Sequence, residues 1–345
     1  MSEIALYRKY RPADFKEVLG QDHVINVLKG ALEADRIAHA YLFSGPRGTG
    51  KTSIARIMAR AIGTSEVDMY EIDGASNRGI DEIREIRDAV RVLPFESKYK
   101  VYIIDEVHML TKDAFNALLK TLEEPPAHVI FILATTEFHK LPETVVSRCQ
   151  CFTFNKPSEV LLSSVVAETA KKEGFALDAD AATLVALLGD GSFRDTLGML
   201  QKIISASKGK KISYEEARSI TGAPKRELVH DLITALFDKD LAKGLTALRE
   251  AGEASLDMAT LAKMMLHTLR QIMLLRYAPD MVATIKKEIS ADELKFIEGI
   301  LKKPYKESLS AVLVTFLDAY QEIGHTAVRE LPLELAFVKL LGGKE

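Results

Sequence analysis

The feature that most constrains this sequence is a glycine-rich segment that follows a short apolar run. Its eight residues match the pattern G-x-x-x-x-G-K-[ST] at every fixed position, and they are Gly45, Pro46, Arg47, Gly48, Thr49, Gly50, Lys51 and Thr52. Glycines let the backbone bend sharply and turn its N–H groups toward an anion. A strand-like run, Tyr41–Phe43, precedes the segment, and a helical pattern follows it. The segment therefore predicts a phosphate-binding loop between a strand and a helix.

Two side chains of this loop have chemistry suited to a nucleoside triphosphate. Lys51 is expected between the β- and γ-phosphates, and the Thr52 hydroxyl is expected to bind Mg²⁺. The positive end of the following helix would face the same anion. The next residue, Ser53, is also expected to contact the nucleotide. A chance glycine-rich turn is the alternative, and the strand–loop–helix context argues against it.

Strand and helix patterns alternate along the first part of the chain, up to about residue 155. The predicted strands are Tyr41–Ser44, Met69–Ile72, Val101–Ile104, Val129–Thr135 and Cys151–Phe154. Alternation of this kind predicts an α/β fold with a parallel sheet and helices on both faces. Ligands of such sheets bind at the carboxyl ends of the strands, where the phosphate loop falls.

Polar residues end two of these predicted strands. Asp105 and Glu106 follow four apolar residues, so Asp105 is expected near the Mg²⁺ and Glu106 is expected to orient or deprotonate the attacking water. Thr135 and Thr136 end the next strand, where a hydroxyl would reach the γ-phosphate or the water. Each of these two threonines is equally well explained as the end of a β-branched strand.

Two arginines are further candidates. An arginine beside a nucleotide stabilises the transition state of phosphoryl transfer, and Arg148 comes just before the last predicted strand. From the residues alone, a solvated ion pair at the surface explains Arg148 better. Arg194 begins a predicted helix, where it would report the nucleotide state or simply pair with Asp190 or Asp195.

From Pro157 onward the strand patterns stop, and helical patterns run to the end. Gly222-Ala223-Pro224 is a plausible second boundary. Together with the change at Pro157, it divides the chain into residues 1–156, 157–222 and 223–345. Ser213 with Glu216, and Ser290 with Glu293, have capping-box spacing and predict two helix starts.

Composition limits the possible classes of protein. A hydrophobic content of 47 % with 28 % charged residues is typical of soluble globular proteins. The net charge of −3 gives no overall attraction to nucleic acid, so any DNA contact needs a local basic surface. The two cysteines, Cys149 and Cys151, form no disulfide framework and favour a reducing cytoplasm.

Taken together, these elements resemble the AAA+ clamp-loader ATPases, the family that includes the gamma and tau subunits of bacterial DNA polymerase III. The resemblance rests on the phosphate loop and on further segments in the same order. These segments are Tyr7–Pro12, Phe15–Gln21, Glu71–Asn77, Asp105–Leu110, Asn116–Pro126, Ala134–Thr136 and Ser147–Cys149. The resemblance is strong over residues 7–222 and weak afterwards.

The resemblance implies roles for particular residues. Thr136 matches the first sensor, Arg194 the sensor of a helical lid, and Arg148 a finger that acts on ATP in the neighbouring subunit. The residues that match the segment around the adenine are Tyr10, Arg11, Pro12 and Val18. Those that match contacts to the DNA backbone are Asn77, Arg78 and Arg84, for which a solvated helix face is the alternative.

The resemblance also implies a function and a domain plan. A nucleotide-binding domain (1–156) would be followed by a helical lid (157–222) and a helical collar (223–345) that joins subunits in a ring. Such a subunit uses ATP and Mg²⁺ to open a sliding clamp and place it on primed DNA. The expected partners are the clamp, primed DNA, delta and delta-prime subunits and further copies of the chain. The alternatives are a catalytically silent subunit like delta-prime and another AAA+ DNA motor, such as a branch-migration helicase.

Two departures from the family are visible. Members typically carry a four-cysteine zinc module after the helix of the phosphate loop, whereas here Ala61-Ile62-Gly63 runs directly into Thr64–Asp68 without a cysteine. We therefore expect no zinc. The sequence printed here stops at Glu345, so we expect either a natural short form or a trimmed chain without the extension that distinguishes tau.

Overall fold

The computed structural model describes residues 4–77, 79–282, 285, 289–304 and 308–342. The chain forms two compact units. The first contains Met1–Leu162 and Gly189–Gly198, and the second contains Ser163–Leu188 and Met199–Glu345.

A parallel five-stranded sheet forms the centre of the first unit. Its strands are β1 (Ala40–Ser44), β2 (Met69–Asp73), β3 (Lys100–Asp105), β4 (Val129–Thr135) and β5 (Gln150–Thr153). They lie in the order β2-β3-β4-β1-β5, and every neighbouring pair is parallel. The predicted parallel sheet is therefore confirmed, and no strand end differs from its predicted position by more than one residue.

Helices cover both faces of this sheet. The helices up to β5 are α1 (Leu6–Lys9), α2 (Asp22–Glu33), α3 (Lys51–Ala61), α4 (Ile80–Ala89), α5 (Lys112–Glu123) and α6 (Glu143–Val146), and those from α2 onward pack on the sheet. Because side chains alternate along a strand, Tyr41 and Phe43 pack with residues of α2 and α3, such as Ile54. Leu42 lies on the opposite face, in one cluster with Leu118 of α5.

The second unit is mainly helical. With parts of α7 (Glu159–Lys172) and α9 (Phe193–Ala206), its helices are α8 (Ala179–Leu188), α10 (Tyr214–Thr221), α11 (Arg226–Asp238), α12 (Leu241–Glu253), α13 (Met258–Tyr277), α14 (Ala291–Leu301), α15 (Leu309–Glu322) and α16 (Leu331–Leu341). One apolar core joins the helices from α11 onward, with Leu236, Met265, Phe316 and Phe337 among its fully buried side chains.

The expectation that no strand follows Pro157 is wrong in one detail. β6 (Ala176–Leu177) and β7 (Lys211–Ile212) form a short parallel pair in the second unit. Two-residue strands are too short to show the alternation by which a strand is recognised in a sequence.

Both predicted capping boxes begin helices. Ser213 Oγ accepts a hydrogen bond from Glu216 N at 3.2 Å, and Ser290 Oγ accepts one from Glu293 N at 3.3 Å. The division into nucleotide-binding domain, lid and collar stays a prediction. Within the described ranges, no helix is both long and apolar enough to cross a membrane.

Candidate nucleotide site

The register of the sheet brings three strand ends together. Ser44, the last residue of β1, lies beside Thr135, the last residue of β4. On the other side of β4, Ile104 of β3 pairs with Leu133. The segments that follow β1, β3 and β4 therefore begin side by side at the carboxyl edge, which is the usual ligand edge of a parallel sheet.

The loop after β1 depends on its glycines. Gly45 has a φ of 143° and Gly48 a φ of 73°, which side chains with a Cβ rarely adopt. A Cβ at Gly48 would also overlap Ser192 Oγ, and Phe193 N donates a hydrogen bond to Gly48 O at 3.0 Å. The backbone of the loop is thus packed directly against the segment that begins α9.

The other residues of the predicted loop have distinct positions. Thr49 is buried and its hydroxyl donates to Pro46 O at 2.9 Å, which fixes the turn. Arg47 is exposed, and Ser53 is half-buried in the first turn of α3. Gly50 immediately precedes α3, with a φ of 101°.

Lys51 lies inside this loop and is 5 % exposed. Its Nζ donates to Gly45 O at 2.7 Å and to Pro46 O at 2.9 Å. Burial lowers the pKa of Lys51 below its usual value, and the carboxylates of Glu106 and Asp105 offset only part of this shift. The cation is held at the place where the sequence predicts a phosphate.

Thr52 and Asp105 form the predicted magnesium pair. Thr52 Oγ1 donates to Asp105 Oδ2 at 2.6 Å, although the two residues come from different elements. Mg²⁺ prefers oxygen ligands and is usually bound by one or two carboxylates together with substrate phosphates. A hydroxyl and a carboxylate beside a phosphate loop fit that ion.

Glu106 is held in an unusual backbone conformation. Its φ is 47°, in the left-handed region, which residues other than glycine seldom occupy. Its Oε2 accepts hydrogen bonds from Thr136 Oγ1 at 2.9 Å and from Thr136 N at 3.3 Å. The structure therefore brings the predicted catalytic carboxylate and the predicted sensor into direct contact.

Sequence reasoning missed two neighbours of Glu106. His108 Nδ1 lies 3.4 Å from Glu106 Oε2 and 3.0 Å from Thr135 Oγ1, with only 8 % of its side chain exposed. Gly74 N donates to Asp105 O at 2.8 Å, and a Cβ at Gly74 would lie 2.9 Å from the carbonyl oxygens of Asp105 and Glu106. The contact of His108 with Thr135 and those of Gly74 join segments that are distant in the chain, so no local pattern indicates them.

Arg194 lies close enough to the loop to influence its charges. It lowers the pKa of Lys51 and contributes to lowering that of Arg11, whose shift comes first from burial and then from Arg56. Its guanidinium carbon lies 5.9 Å from the centre of the Tyr7 ring. The structure thus places Arg194 near both the loop and the predicted adenine segment.

The predicted adenine segment is only partly accessible. Tyr10, Arg11 and Pro12 are half-buried. Val18 is buried in the same core cluster as Phe15. Contacts of these residues with an adenine stay a prediction.

Arg148 contacts other residues than those of the loop. Its Nη2 lies 2.7 Å from Glu123 Oε1, and its Nη1 donates to Thr144 O at 2.7 Å. The side chain is 33 % exposed. This is the surface ion pair that the sequence suggested as the alternative, and a role in a neighbouring subunit stays a prediction.

The candidate DNA residues lie around α4. Asn77 Nδ2 donates to Asp73 O at 3.0 Å, in the turn after β2. Arg84 is an exposed residue of α4. Arg78 lies outside the described residues.

The absence of zinc also stays a prediction. Cys149 and Cys151 are free thiols, and burial raises the pKa of Cys149 to about 12. Groups of three or more His, Cys, Asp or Glu side chains that could hold a metal do not occur among the residues described.

Comparisons with known proteins place this geometry in a family. The chain matches the family described as DNA polymerase III, delta subunit, over residues 20–75 and 64–158. It matches the family described as DNA polymerase III subunits gamma and tau domain III over residues 212–344. The fold is similar to the solved structure of the Thermotoga maritima RuvB Holliday junction branch migration motor, with a TM-score of 0.53. The superposition covers 66 % of this chain and 79 % of the RuvB chain. The sequences are 20 % identical, so this likeness shows the AAA+ fold alone.

Relatives that are similar along nearly the whole chain include two tau subunits. DNA polymerase III subunit tau of Bacillus subtilis strain 168 is 39 % identical over 99 % of this chain. DNA polymerase III subunit tau of Escherichia coli K12 is 33 % identical over 99 % of this chain. The chain spans 63 % and 56 % of the lengths of these relatives. It has the AAA+ fold, and along nearly its whole length its sequence is that of a gamma/tau-like subunit of bacterial DNA polymerase III.

Proposed function

We propose that this chain is the ATP-hydrolysing motor subunit of a clamp loader, which opens a ring-shaped sliding clamp and places it on primed DNA. This chain is 39 % identical to a tau subunit, and one observation on its structure carries the proposal. The predicted ATPase side chains from three separate strand ends meet at one edge of the sheet, where Thr52 contacts Asp105 and Glu106 contacts Thr136.

Each side chain has a defined task in this proposal. Lys51 and the N–H groups of the loop bind the phosphates. Thr52 and Asp105 would hold Mg²⁺, which would neutralise negative charge on the phosphates. Glu106, oriented by Thr136, accepts a proton from the attacking water. Arg194 of the same chain and Arg148 of a neighbouring copy stabilise the negative charge of the transition state.

The remaining parts of the proposal concern assembly in the cytoplasm. Residues 157–222 act as a lid over the nucleotide, and residues 223–345 as the collar of a ring with delta, delta-prime and further copies of the chain. Asn77, Arg78 and Arg84 contact the DNA backbone, which positions a duplex without reading its sequence. ATP binding then stabilises an open arrangement of the ring, and hydrolysis releases the clamp.

Two rival functions make different predictions. A silent subunit like delta-prime binds its partners without turning over ATP, and the contacts of Thr52 and Glu106 described above argue against it. Another AAA+ DNA motor would turn over ATP without any response to a clamp. The RuvB likeness does not favour this rival, because fold alone does not determine function.

The deciding experiment is steady-state ATP hydrolysis by the chain assembled with its partner subunits, with primed DNA, clamp, both or neither. We expect the rate to rise markedly only when primed DNA and clamp are both present. If DNA raises the rate of ATP hydrolysis equally with and without the clamp, the result would favour another AAA+ DNA motor. No hydrolysis in any mixture would favour the silent subunit.

A further inference from the structure

The surroundings of Arg148 hold its guanidinium in one direction. Two of its nitrogens are bound separately, Nη2 by the Glu123 carboxylate and Nη1 by the Thr144 carbonyl, each at 2.7 Å. An arginine has five N–H donors in a planar fork. Nη1 also donates to Ser147 Oγ at 3.4 Å. Within the described residues these three bonds leave two of the five donors available for a further anion.

Glu123 presents its carboxylate from a firmly held element. It is the last residue of α5, whose Phe115, Leu118 and Leu122 are buried against the sheet. Thr111 caps the beginning of this helix, with its hydroxyl accepting from Ala114 N at 3.3 Å. A carboxylate on such a helix is held in position more precisely than one on a loop.

The next residue provides an internal comparison. Glu124 carries the same charge and is also exposed, but within the described residues it has no ion-pair partner. Contact with Arg148 is thus a property of one position and not of a generally acidic surface.

We propose that Glu123 is a positioning residue for Arg148, which it aims toward the nucleotide of the neighbouring subunit; this rests on the function proposed above. An unrestrained arginine side chain loses much rotational freedom when it reaches a phosphate, and a carboxylate that fixes it beforehand reduces that loss. Exposed ion pairs contribute little to folding. Removal of Glu123 therefore affects the rate of hydrolysis and not stability.

The first test compares Glu123→Ala, Glu123→Gln and Glu124→Ala in the assembled loader with primed DNA and clamp. We expect Glu123→Ala to lower kcat for ATP about 10-fold and to leave KM and nucleotide affinity unchanged, because the loop that binds ATP is intact. Glu123→Gln keeps an oxygen acceptor and should recover part of the rate. Glu124→Ala should match the unsubstituted chain, and an equal loss in Glu124→Ala would overturn the proposal.

The second test adds Glu123→Ala to Arg148→Ala. If Glu123 acts through Arg148, the double variant should be no slower than Arg148→Ala alone. Independent, multiplying losses would overturn the positioning role, and so would a normal rate for Glu123→Ala when Arg148→Ala is slow. A normal rate for Arg148→Ala would refute the role of Arg148 itself, and with it the role of Glu123.

Discussion

At the scale of single residues, the candidate site is a set of side chains that restrain one another. Glu106 is held by Thr136, and Thr52 is held by Asp105. Each pair joins residues that are at least 30 positions apart in the chain. The fold thus places these groups before any substrate arrives, which is a general requirement for efficient chemistry.

Lys51 offers the most direct test of the predicted phosphate site. Replacing it with alanine removes the only charged group bonded to the loop carbonyls within the described structure. A hydrogen bond to a charged group contributes about 1.5–3 kcal/mol, so we expect the Kd for ATP to rise roughly 10- to 150-fold. Titration calorimetry measures this change.

A matched control for that substitution is Lys112→Ala, which removes an exposed lysine from the beginning of α5. Its affinity for ATP should stay normal. Unchanged affinity in Lys51→Ala, with the circular dichroism spectrum preserved, would contradict a phosphate-binding role for the loop.

Sequence reasoning identified residues of the site where the chemistry is local. The loop from Gly45 to Thr52 has a fixed spacing, and Asp105 follows an apolar strand, so both are visible in a short window. His108 is not, because its role depends on contacts with Glu106 and with Thr135, 27 residues away. Arg148 and Arg194 needed the family resemblance, since an isolated arginine has no distinguishing pattern.

At the scale of elements, the central strands were predictable because they are buried on both faces. β4 is buried along its whole length, and such strands appear as continuous apolar runs. β6 and β7 were not predictable, because each consists of two residues. The order of the strands, with β4 between β3 and β1, was also beyond the reach of local patterns.

The segment before β3 is held by one buried carboxylate. Asp68, 1 % exposed, accepts backbone hydrogen bonds from Phe95 at 2.6 Å, Glu96 at 3.0 Å and Ser97 at 2.9 Å. Burial raises the pKa of Asp68, but the hydrogen bonds from Glu96, Phe95 and Ser97 outweigh it and leave the pKa at about 2. The ionised form is therefore the one that the fold stabilises.

Replacing Asp68 with asparagine should destabilise the first unit by about 1–3 kcal/mol near neutral pH, because an amide cannot accept all three bonds. The folded pKa lies below the unfolded value of about 3.9. The stabilisation is therefore complete above that value and is lost as the pH falls toward about 2. The difference between the two proteins should shrink over this range.

Urea unfolding followed by circular dichroism, at a series of pH values from 6 downward, measures that difference. Asp88→Asn, at an exposed aspartate of α4, is the control and should change little at any pH. A difference for Asp68→Asn that stays constant as the pH falls would contradict the proposed source of the stabilisation.

At the scale of the whole molecule, the proposed site is shared between subunits. Lys51 of one copy and Arg148 of the next would act on the same nucleotide, in a head-to-tail contact that repeats around a ring. A copy with Lys51→Ala still carries a normal Arg148, and a copy with Arg148→Ala still carries a normal Lys51. Each variant should hydrolyse ATP poorly when it is the only form in the ring.

Mixing the two variants during assembly should therefore restore some activity. Where an Arg148→Ala copy receives its arginine from a Lys51→Ala copy, the shared site is complete, and random mixing produces this pairing at about one in four contacts between copies. Hydrolysis by the mixed loader should exceed the average of the two single-variant loaders. A double variant, Lys51→Ala with Arg148→Ala, mixed with either single variant serves as the control, since it cannot supply the missing group. Activity equal to the average would mean that Arg148 acts only within its own chain or not at all.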